Sequence, residues 1–349
     1  MKVVRLVAVI KDVAGRAGLS VSVVSKYLKA PSSVRSDTRE KIERAIKELN
    51  YVPSTQARAL RTGKTGLISI ISPNITNPFF AELFSAIQSK ALQLGYTAIL
   101  QTIPTVQKTD NSVVSHPFAV SSSSRVDGMI ICFPDEEEIV SFLRQQWKCL
   151  PMVLLSWNAA KEADANIIVD VAKGTYETTR YLLGQGHRSI GYVGAPENSA
   201  TSQEKQKGYI RALLEGGMAV RPEMIFHGPY CPETGYQAAE TFWRGAERPT
   251  AIITEADIFA VGCIKYCHKK NIDVPGEMAV VGFDDIPMAA LYHPSITTVR
   301  LPIGKLGDCA VETLRRMLDA KDQARQPAVH FDTELIERKS TNPAYVEEI

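Results

Sequence analysis

Apolar positions near the start of the chain recur at helical spacing. Ile10, Val13, Ala14 and Ala17 fall at i, i+3, i+4 and i+7, which predicts a helix over 10–18. Gly18-Leu19-Ser20 breaks it, and Ser20 can cap a second helix, Val21–Leu28, whose Val24 and Leu28 face the first. A third helix, Asp37–Leu49, is expected after Ser36 as its cap, with Ile42, Ala45, Ile46 and Leu49 on its inner face. A small Ala14 at the crossing and Gly18 at the tight turn give the spacing of a helix-turn-helix, although any helical hairpin can show the same pattern.

From Gly66 the pattern changes to short apolar runs alternating with helical segments. Strands are expected at Leu67–Ile71, Tyr96–Leu100, Gly128–Cys132 and Met152–Leu155, with a helix at Phe80–Leu94. A second series follows: strands Ile167–Val169, Ile190–Val193, Ala251–Thr254 and Met278–Phe283, and helices Lys173–Gly184, Gln203–Leu214 and Ile258–Lys269. Apolar strands with helices between them indicate parallel sheets covered on both faces. Two such series predict an α/β body of two doubly wound subdomains with a cleft where strand ends gather. Thr102–Arg125 is serine-rich, with four consecutive serines at Ser121–Ser124, and reads as a surface stretch.

Between the two patterns lies Tyr51–Thr65. Pro53 stops the preceding helix, Ser54 can cap a new one, and Gly63 can end it. The short basic segment carries Ala57, Arg58, Leu60 and Arg61. Two turns are too few for a stable isolated helix, so this stretch is either a plain linker or a hinge that folds on contact with a partner. Gly63-Lys64-Thr65 looks like the end of a phosphate-binding loop, but that motif needs glycine where Arg58 stands.

Charge sharpens the division. Up to Lys64 the chain has 14 Lys+Arg against 5 Asp+Glu, and the remainder has 26 against 33. A basic head on an acidic body suggests that the head meets a polyanion. No run is long and apolar enough to span a membrane, and the brief apolar start, interrupted by Lys11 and Asp12, does not read as a signal peptide; a cytoplasmic protein is expected. The six cysteines are scattered without CxxC spacing, so neither a metal site nor another cofactor is expected. No nucleophile elbow or catalytic triad is visible, which argues against an enzyme.

In a helix-turn-helix, the N-terminal residues of the second helix reach base edges in the major groove. Here those are Val21 and Ser22, with Lys26 one turn on. Lys26 can donate to guanine, Ser22 can bond several bases, and Val21 can touch a thymine methyl or pack inside instead. Ser25 and Lys29 fit phosphate contacts.

The segments Ile10-Lys-Asp-Val-Ala-Gly-Arg-Ala-Gly-Leu-Ser20, Val24-Ser25-Lys26, Thr38-Arg39, Leu49-Asn-Tyr-Val-Pro53 and Ala57-Arg-Ala-Leu60 strongly resemble the LacI/GalR family of bacterial transcription regulators. The resemblance extends to about Thr341. It implies a helix-turn-helix head at 1–53, a hinge and linker at 54–65, and a periplasmic-binding-protein-like body. The body divides into 66–162 with 293–321 and 163–292 with 322–341, followed by a tail at 342–349. On that pattern Ile296–Leu318 returns to the first subdomain and Val329–Arg338 to the second. The resemblance further implies a homodimer on a near-palindromic operator, with hinge helices paired over the minor groove, Leu60 wedged into the central base step and Ala57 beside it; Ser54 and Arg58 of the hinge are further candidate DNA contacts. Val21-Ser22 and Lys26 depart from the residues usual at the start of the family's recognition helix, so no operator sequence carries over. The short tail has no heptads, and a C-terminal coiled-coil tetramer is not expected.

Candidate cleft residues sit at strand ends: Asn77 and Phe79 after the first strand, Ser156, Tyr230, Asp257 and Asp284. Phe79 can cover a flat ligand face or belong to the core, and Asp284 can accept ligand hydroxyls or serve a turn. The resemblance places the family's cleft arginine at Lys205, its Asn-Asp pair at Ala256-Asp257, and a sugar-binding aspartate at Ser156. A lysine cannot reproduce arginine's planar fork. A common hexose is therefore not expected to bind in the family's usual way. An anionic metabolite held by Lys205 is one alternative. Another is control by a corepressor protein, as in the catabolite control proteins of the family. A transport-type binding protein would share the body but have no use for the basic head. His187, after Gly184-Gln-Gly186, is expected to serve the helix end.

Overall fold

A computed structural model of the chain describes residues 8–51, 64–73, 75–102, 126–134, 137–320 and 325–346. The predicted hinge, with Ser54, Ala57, Arg58 and Leu60, lies outside the described residues, as does the serine-rich stretch apart from Thr102. The chain divides into two compact units, Met1–Gly66 and Leu67–Ile349.

Among its described residues the first unit holds three α-helices, α1 (Ile10–Ala17), α2 (Val21–Lys29) and α3 (Ser36–Glu48), with a short 3-10 turn at Pro31–Ser33. Asp12 reaches back to accept a hydrogen bond from the Val9 N–H at 2.8 Å, securing the start of α1. Gly18 ends α1 at φ +67°, and Leu19 N donates to the Ala14 carbonyl at 2.9 Å across it. That left-handed position is why a glycine stands there. Ser20 caps α2 through Val23 N. Ser36 begins α3, and Arg35 takes the cap position expected for Ser36. Val13, Ala14, Val24, Ile42, Ala45 and Tyr51 form the buried core.

The second unit contains two six-stranded sheets. The strands in chain order are β1 (Leu67–Ser72), β2 (Thr97–Thr102), β3 (Gly128–Cys132), β4 (Met152–Ser156), β5 (Ala165–Val169), β6 (Ile190–Gly194), β7 (Ile225–His227), β8 (Ala251–Thr254), β9 (Ala279–Asp284), β10 (Thr297–Arg300), β11 (Val329–Phe331) and β12 (Glu334–Ile336). The first sheet runs β11-β5-β4-β3-β1-β2 and the second β12-β10-β9-β8-β6-β7. All pairings are parallel except β10 with β12. The helices are α4 (Pro78–Gln93), α5 (Glu137–Gln146), α6 (Val171–Gly184), α7 (Ala200–Glu215), α8 (Pro232–Arg244), α9 (Asp257–Lys270), α10 (Pro287–Leu291) and α11 (Ile303–Asp319). Helices α5 and α8 and strand β7 were not foreseen in the sequence pattern.

Three assignments change. Strand β5 pairs with β4 in the first sheet, not with the second series. Strand β10 pairs with β9 in the second sheet, although α11 just after it packs Leu306, Ala310, Val311 and Leu314 into the core of the first. Strand β11 pairs with β5 in the first sheet, and only β12 returns to the second. The chain therefore passes between sheets after β5, after β10 and after β11. Strand β5 is as apolar as its neighbours in either sheet, and β10, β11 and β12 are short and mixed in character, so local pattern alone could not assign them. The final turn closes on the second sheet, where Val280 N donates to the Ser340 carbonyl at 3.0 Å. His187 shares a 2.8 Å hydrogen bond with Thr250, matching its expected place beyond the helix end.

Candidate functional site

In the head, Ser20 starts α2 so that its first turn stands clear of the helical core. Val21 is 41% exposed, which removes the core-packing alternative for it, and Ser22 and Lys26 are also exposed. Ser25 is half-buried, and Lys29 ends the helix. Tyr27 donates to Glu43 at 3.0 Å and ties α2 to α3. The arrangement can present a hydroxyl, a methyl-bearing side chain and an ammonium along one helix end, the donor set that reads base edges.

In the body, the chain crossings gather several predicted residues. Asn77 caps α4, accepting from Phe79 N at 3.1 Å, and its Nδ2 donates to Asp284 Oδ2 at 3.4 Å. This bond joins the cap of α4 to the end of β9, 207 positions apart in the chain. Asp284 and Asp285 hold φ +107° and +56°, in the left-handed region. Such backbone costs free energy and commonly marks a functional turn. Asp285 is held by Arg300 at 2.6 Å and Arg338 at 2.7 Å. Among the described residues Asp284 has no arginine partner, only the Asn77 hydrogen bond and the nearby Lys205. Burial pushes its carboxyl up to about 6, opposed by Lys205 and the Asn77 bond and assisted by Glu255 and Glu82.

Lys205, on α7, is 4% exposed. Its Nζ donates to the Glu255 carbonyl at 2.7 Å and sits 3.7 Å from the centre of the Phe283 ring. The lysine thus has internal partners of its own, independent of any ligand. Glu255 itself has no counterpart among the residues expected from sequence. It is 1% exposed, and its carboxylate accepts from Tyr192 at 3.0 Å, Ser202 at 2.8 Å and Tyr230 at 3.3 Å. A charge directly after an apolar strand was the available signal. Tyr230 also stacks on Phe259 at 5.4 Å, so its position is fixed by the same cluster.

Two further candidates have internal roles, and for Phe79 this is the core alternative of the two given above. Asp257 is fully buried: Oδ1 accepts from Thr298 at 2.6 Å and Oδ2 from Ile286 N at 2.8 Å. With both oxygens committed, it braces the β9–α10 turn rather than offering a ligand contact. Burial and the neighbouring Asp284 hold its carboxyl well above the ordinary range. Phe79 is 4% exposed and belongs to the core of the first sheet, packing on Phe80 and Phe133. Ser156, 8% exposed, ends β4 and lines a cavity of about 430 Å³ with Trp157 and Asn158. Trp157 was likewise not expected there, since a single aromatic after a strand has no distinctive pattern.

A helix-turn-helix with exposed recognition residues, followed by a two-sheet body whose crossings converge on buried polar groups, defines a DNA-binding transcriptional regulator with a sensing domain. Residues 9–54 match the family described as "Bacterial regulatory proteins, lacI family", and residues 179–341 match the "Periplasmic binding protein-like domain". The chain is 32% identical over 335 residues to the HTH-type transcriptional repressor PurR of Proteus mirabilis (strain HI4320), covering 95% of this chain and 96% of that protein. It is 31% identical over 334 residues to the PurR repressor of Erwinia tasmaniensis, again over 95% of this chain and 96% of the relative. The solved structure of the Lac repressor bound to ONPG in its repressed state superposes with a TM-score of 0.83 at 25% identity, covering 96% of this chain and all of that one (100%). The chain belongs to the lacI family of bacterial regulatory proteins. Among the described residues, no helix is long and apolar enough to cross a membrane.

Proposed function

We propose that the protein is a homodimeric repressor that acts in the cytoplasm by binding, without catalysis. Each head reads half of a near-palindromic operator through Val21, Ser22 and Lys26, with Ser25 and Lys29 on phosphates. The observation that carries this reading is the exposed first turn of α2 on an otherwise packed three-helix head. The PurR repressors and the Lac repressor named above support repression as the sense of regulation. Ser54, Ala57, Arg58 and Leu60 form a hinge that pairs with its copy over the minor groove, and Leu60 wedges a base step.

The body sets whether the two hinges can meet. A small-molecule effector among Asn77, Ser156, Lys205, Tyr230 and Asp284 biases the arrangement of the two sheets by its differential affinity for the two states. The second reading, a corepressor protein in place of a small molecule, draws on Lys205: its ammonium already has the Glu255 carbonyl and the Phe283 ring as partners.

Leu60→Ala is expected to lower operator affinity while sparing non-specific DNA binding, reducing the ratio between them by about tenfold or more, since unstacking a step and filling it involves a few kcal/mol. Gel-shift titrations on operator and scrambled duplexes check it. Equal losses on both would remove the wedge from the mechanism. In the same assay, affinity for both duplexes should fall steeply with added salt.

A further inference from the structure

Helix α2 is the least anchored of the three helices in the head. Among the described residues, Val24 is its one fully buried side chain, whereas α1 buries Val13 and Ala14 and α3 buries Ile42 and Ala45. Val23, Tyr27 and Leu28 flank Val24 and are half-buried. A helix of 9 residues seated on one such side chain is weakly constrained against rolling about its own axis.

Rolling matters because of where the base-reading side chains stand. Successive residues of a helix are about 100° apart around its axis. Ser22 and Lys26 therefore share the face roughly opposite Val24. A roll of about 20° carries an atom at the roughly 6 Å outer radius of a helix through about 2 Å. Hydrogen-bond distances tolerate about 0.5 Å, so a roll of that size ends a base contact. Phosphate contacts depend on charge more than on register and survive it.

One side chain of α2 reaches α3 from beside that axis. The Tyr27 hydroxyl donates to Glu43 Oε1 at 3.0 Å, 16 positions away. Tyr27 follows Lys26 directly and lies one turn past Val23, on the flank between the reading face and the core. Its acceptor is a firm reference point, because Glu43 follows the fully buried Ile42 on the longest helix of the head. Burial, and then the Glu43 bond, hold the Tyr27 hydroxyl above its ordinary range, so it stays a donor at neutral pH. Arg39, one turn before Glu43 on α3, acts on the same hydroxyl in the opposite sense. An exposed side-chain bond adds little to stability, but it can fix an angle.

We infer that Tyr27 and Glu43 form a latch that sets the roll of α2, making them positioning residues for base recognition by Ser22 and Lys26. They act through the helix and not on DNA. The inference rests on the reading of the head as the DNA reader. A second polar tie in the head supplies the contrast: Arg16 Nε donates to Glu48 Oε2 at 2.5 Å, joining α1 to α3 and leaving α2 untouched.

The test uses the full-length protein. A duplex enriched from a random pool by the wild type is the specific target, and a shuffled duplex of the same composition is the non-specific one. Tyr27→Phe removes only the hydroxyl oxygen. It is expected to lower the ratio of the two affinities about fivefold, the worth of one hydrogen bond. Affinity for the shuffled duplex and the thermal midpoint should stay nearly unchanged. Glu43→Ala should act alike, and the double variant should lose no more than either single one, since the two residues share one bond. Glu43→Gln keeps an acceptor oxygen and should recover most of the ratio. Arg16→Gln should leave the ratio unaltered. Enrichment repeated with Tyr27→Phe should relax base preference at the positions that Ser22→Ala or Lys26→Ala also relaxes, and at no others. An unchanged ratio for Tyr27→Phe overturns the latch, as do equal losses on both duplexes or additive losses in the double variant. Relaxation at other positions, a Glu43→Gln no better than Glu43→Ala, or an equal loss in Arg16→Gln overturns it too. Each of these outcomes, with an enriched sequence in hand, strikes the latch alone. If the wild type enriches no sequence, the regulator reading fails and the latch falls with it.

Discussion

Asp284→Asn is expected to stabilise the folded body at pH 7 by up to about 3 kcal/mol while weakening its response to effector. Moving a carboxyl from an ordinary value near ~4 to about 6 weakens its charged form by roughly that amount. Burial is the main cause, with Glu255 and Glu82 adding to it and Lys205 and Asn77 working against it. The native state therefore binds this proton more tightly than the unfolded chain. Its contribution is fully present below about pH 4 and is lost as pH rises through about 6. Asparagine keeps the shape, tolerates the φ of +107° and removes the charge. Urea denaturation at pH 4, 5, 6 and 7 should give a wild-type stability that falls with pH, and a flatter dependence for the variant. Asp257 is held high as well, so a residual slope remains and the difference between the two proteins reports Asp284. A variant less stable than wild type at pH 7, with a parallel slope, would mean that Asp284 is stably ionised beside Lys205. A carboxylate kept at a cost to folding, on strained backbone, is what a binding site requires and a core does not.

The second large effect concerns packing. Gly235→Ala is expected to destabilise the body by about 3 kcal/mol, at the upper end for overpacking. Helices α8 and α9 cross so closely that a methyl on Gly235 would fall on the Phe259 carbonyl, and one on Gly262 would fall on the Pro232 carbonyl. Both obstacles are backbone, so no rotamer change relieves them. Gly208 stands in the same relation to the Ala172 carbonyl where α7 meets α6. Gly15→Ala is the control: open space surrounds it on α1, and alanine there should be neutral or stabilising by up to about 1 kcal/mol. Chemical denaturation midpoints of the two variants compare them directly. A loss below about 1 kcal/mol for Gly235→Ala would show that the helices can part without cost.

Much of the head is legible in its amino-acid pattern. Helical periodicity, Gly18 and Ser20 suffice for its helices because each signal acts within a few residues of the structure it specifies. The shift of the α3 cap from Ser36 to Arg35 is a one-residue matter at a fraying end. The site was less legible. Asn77 and Asp284 could be picked as strand-end polar groups, but their meeting could not be foreseen. Asp257 looked like Asp284 in sequence, yet Thr298 and Ile286 occupy it completely. Glu255 gave no motif, and its importance comes from three hydroxyls that arrive from β6, α7 and the segment before α8.

What the sequence determined by itself was local: helix and strand positions, the glycine turn of the head, the basic-to-acidic division and the family pattern. Periodicity, capping and charge are properties of neighbouring residues, and they survive without a tertiary context. Only the tertiary structure decided which sheet takes β5, β10 and β11, which carboxylates are spent and which remain available, and that Tyr27 meets Glu43. Those outcomes depend on which distant segments meet, where burial sets the energy of every polar group.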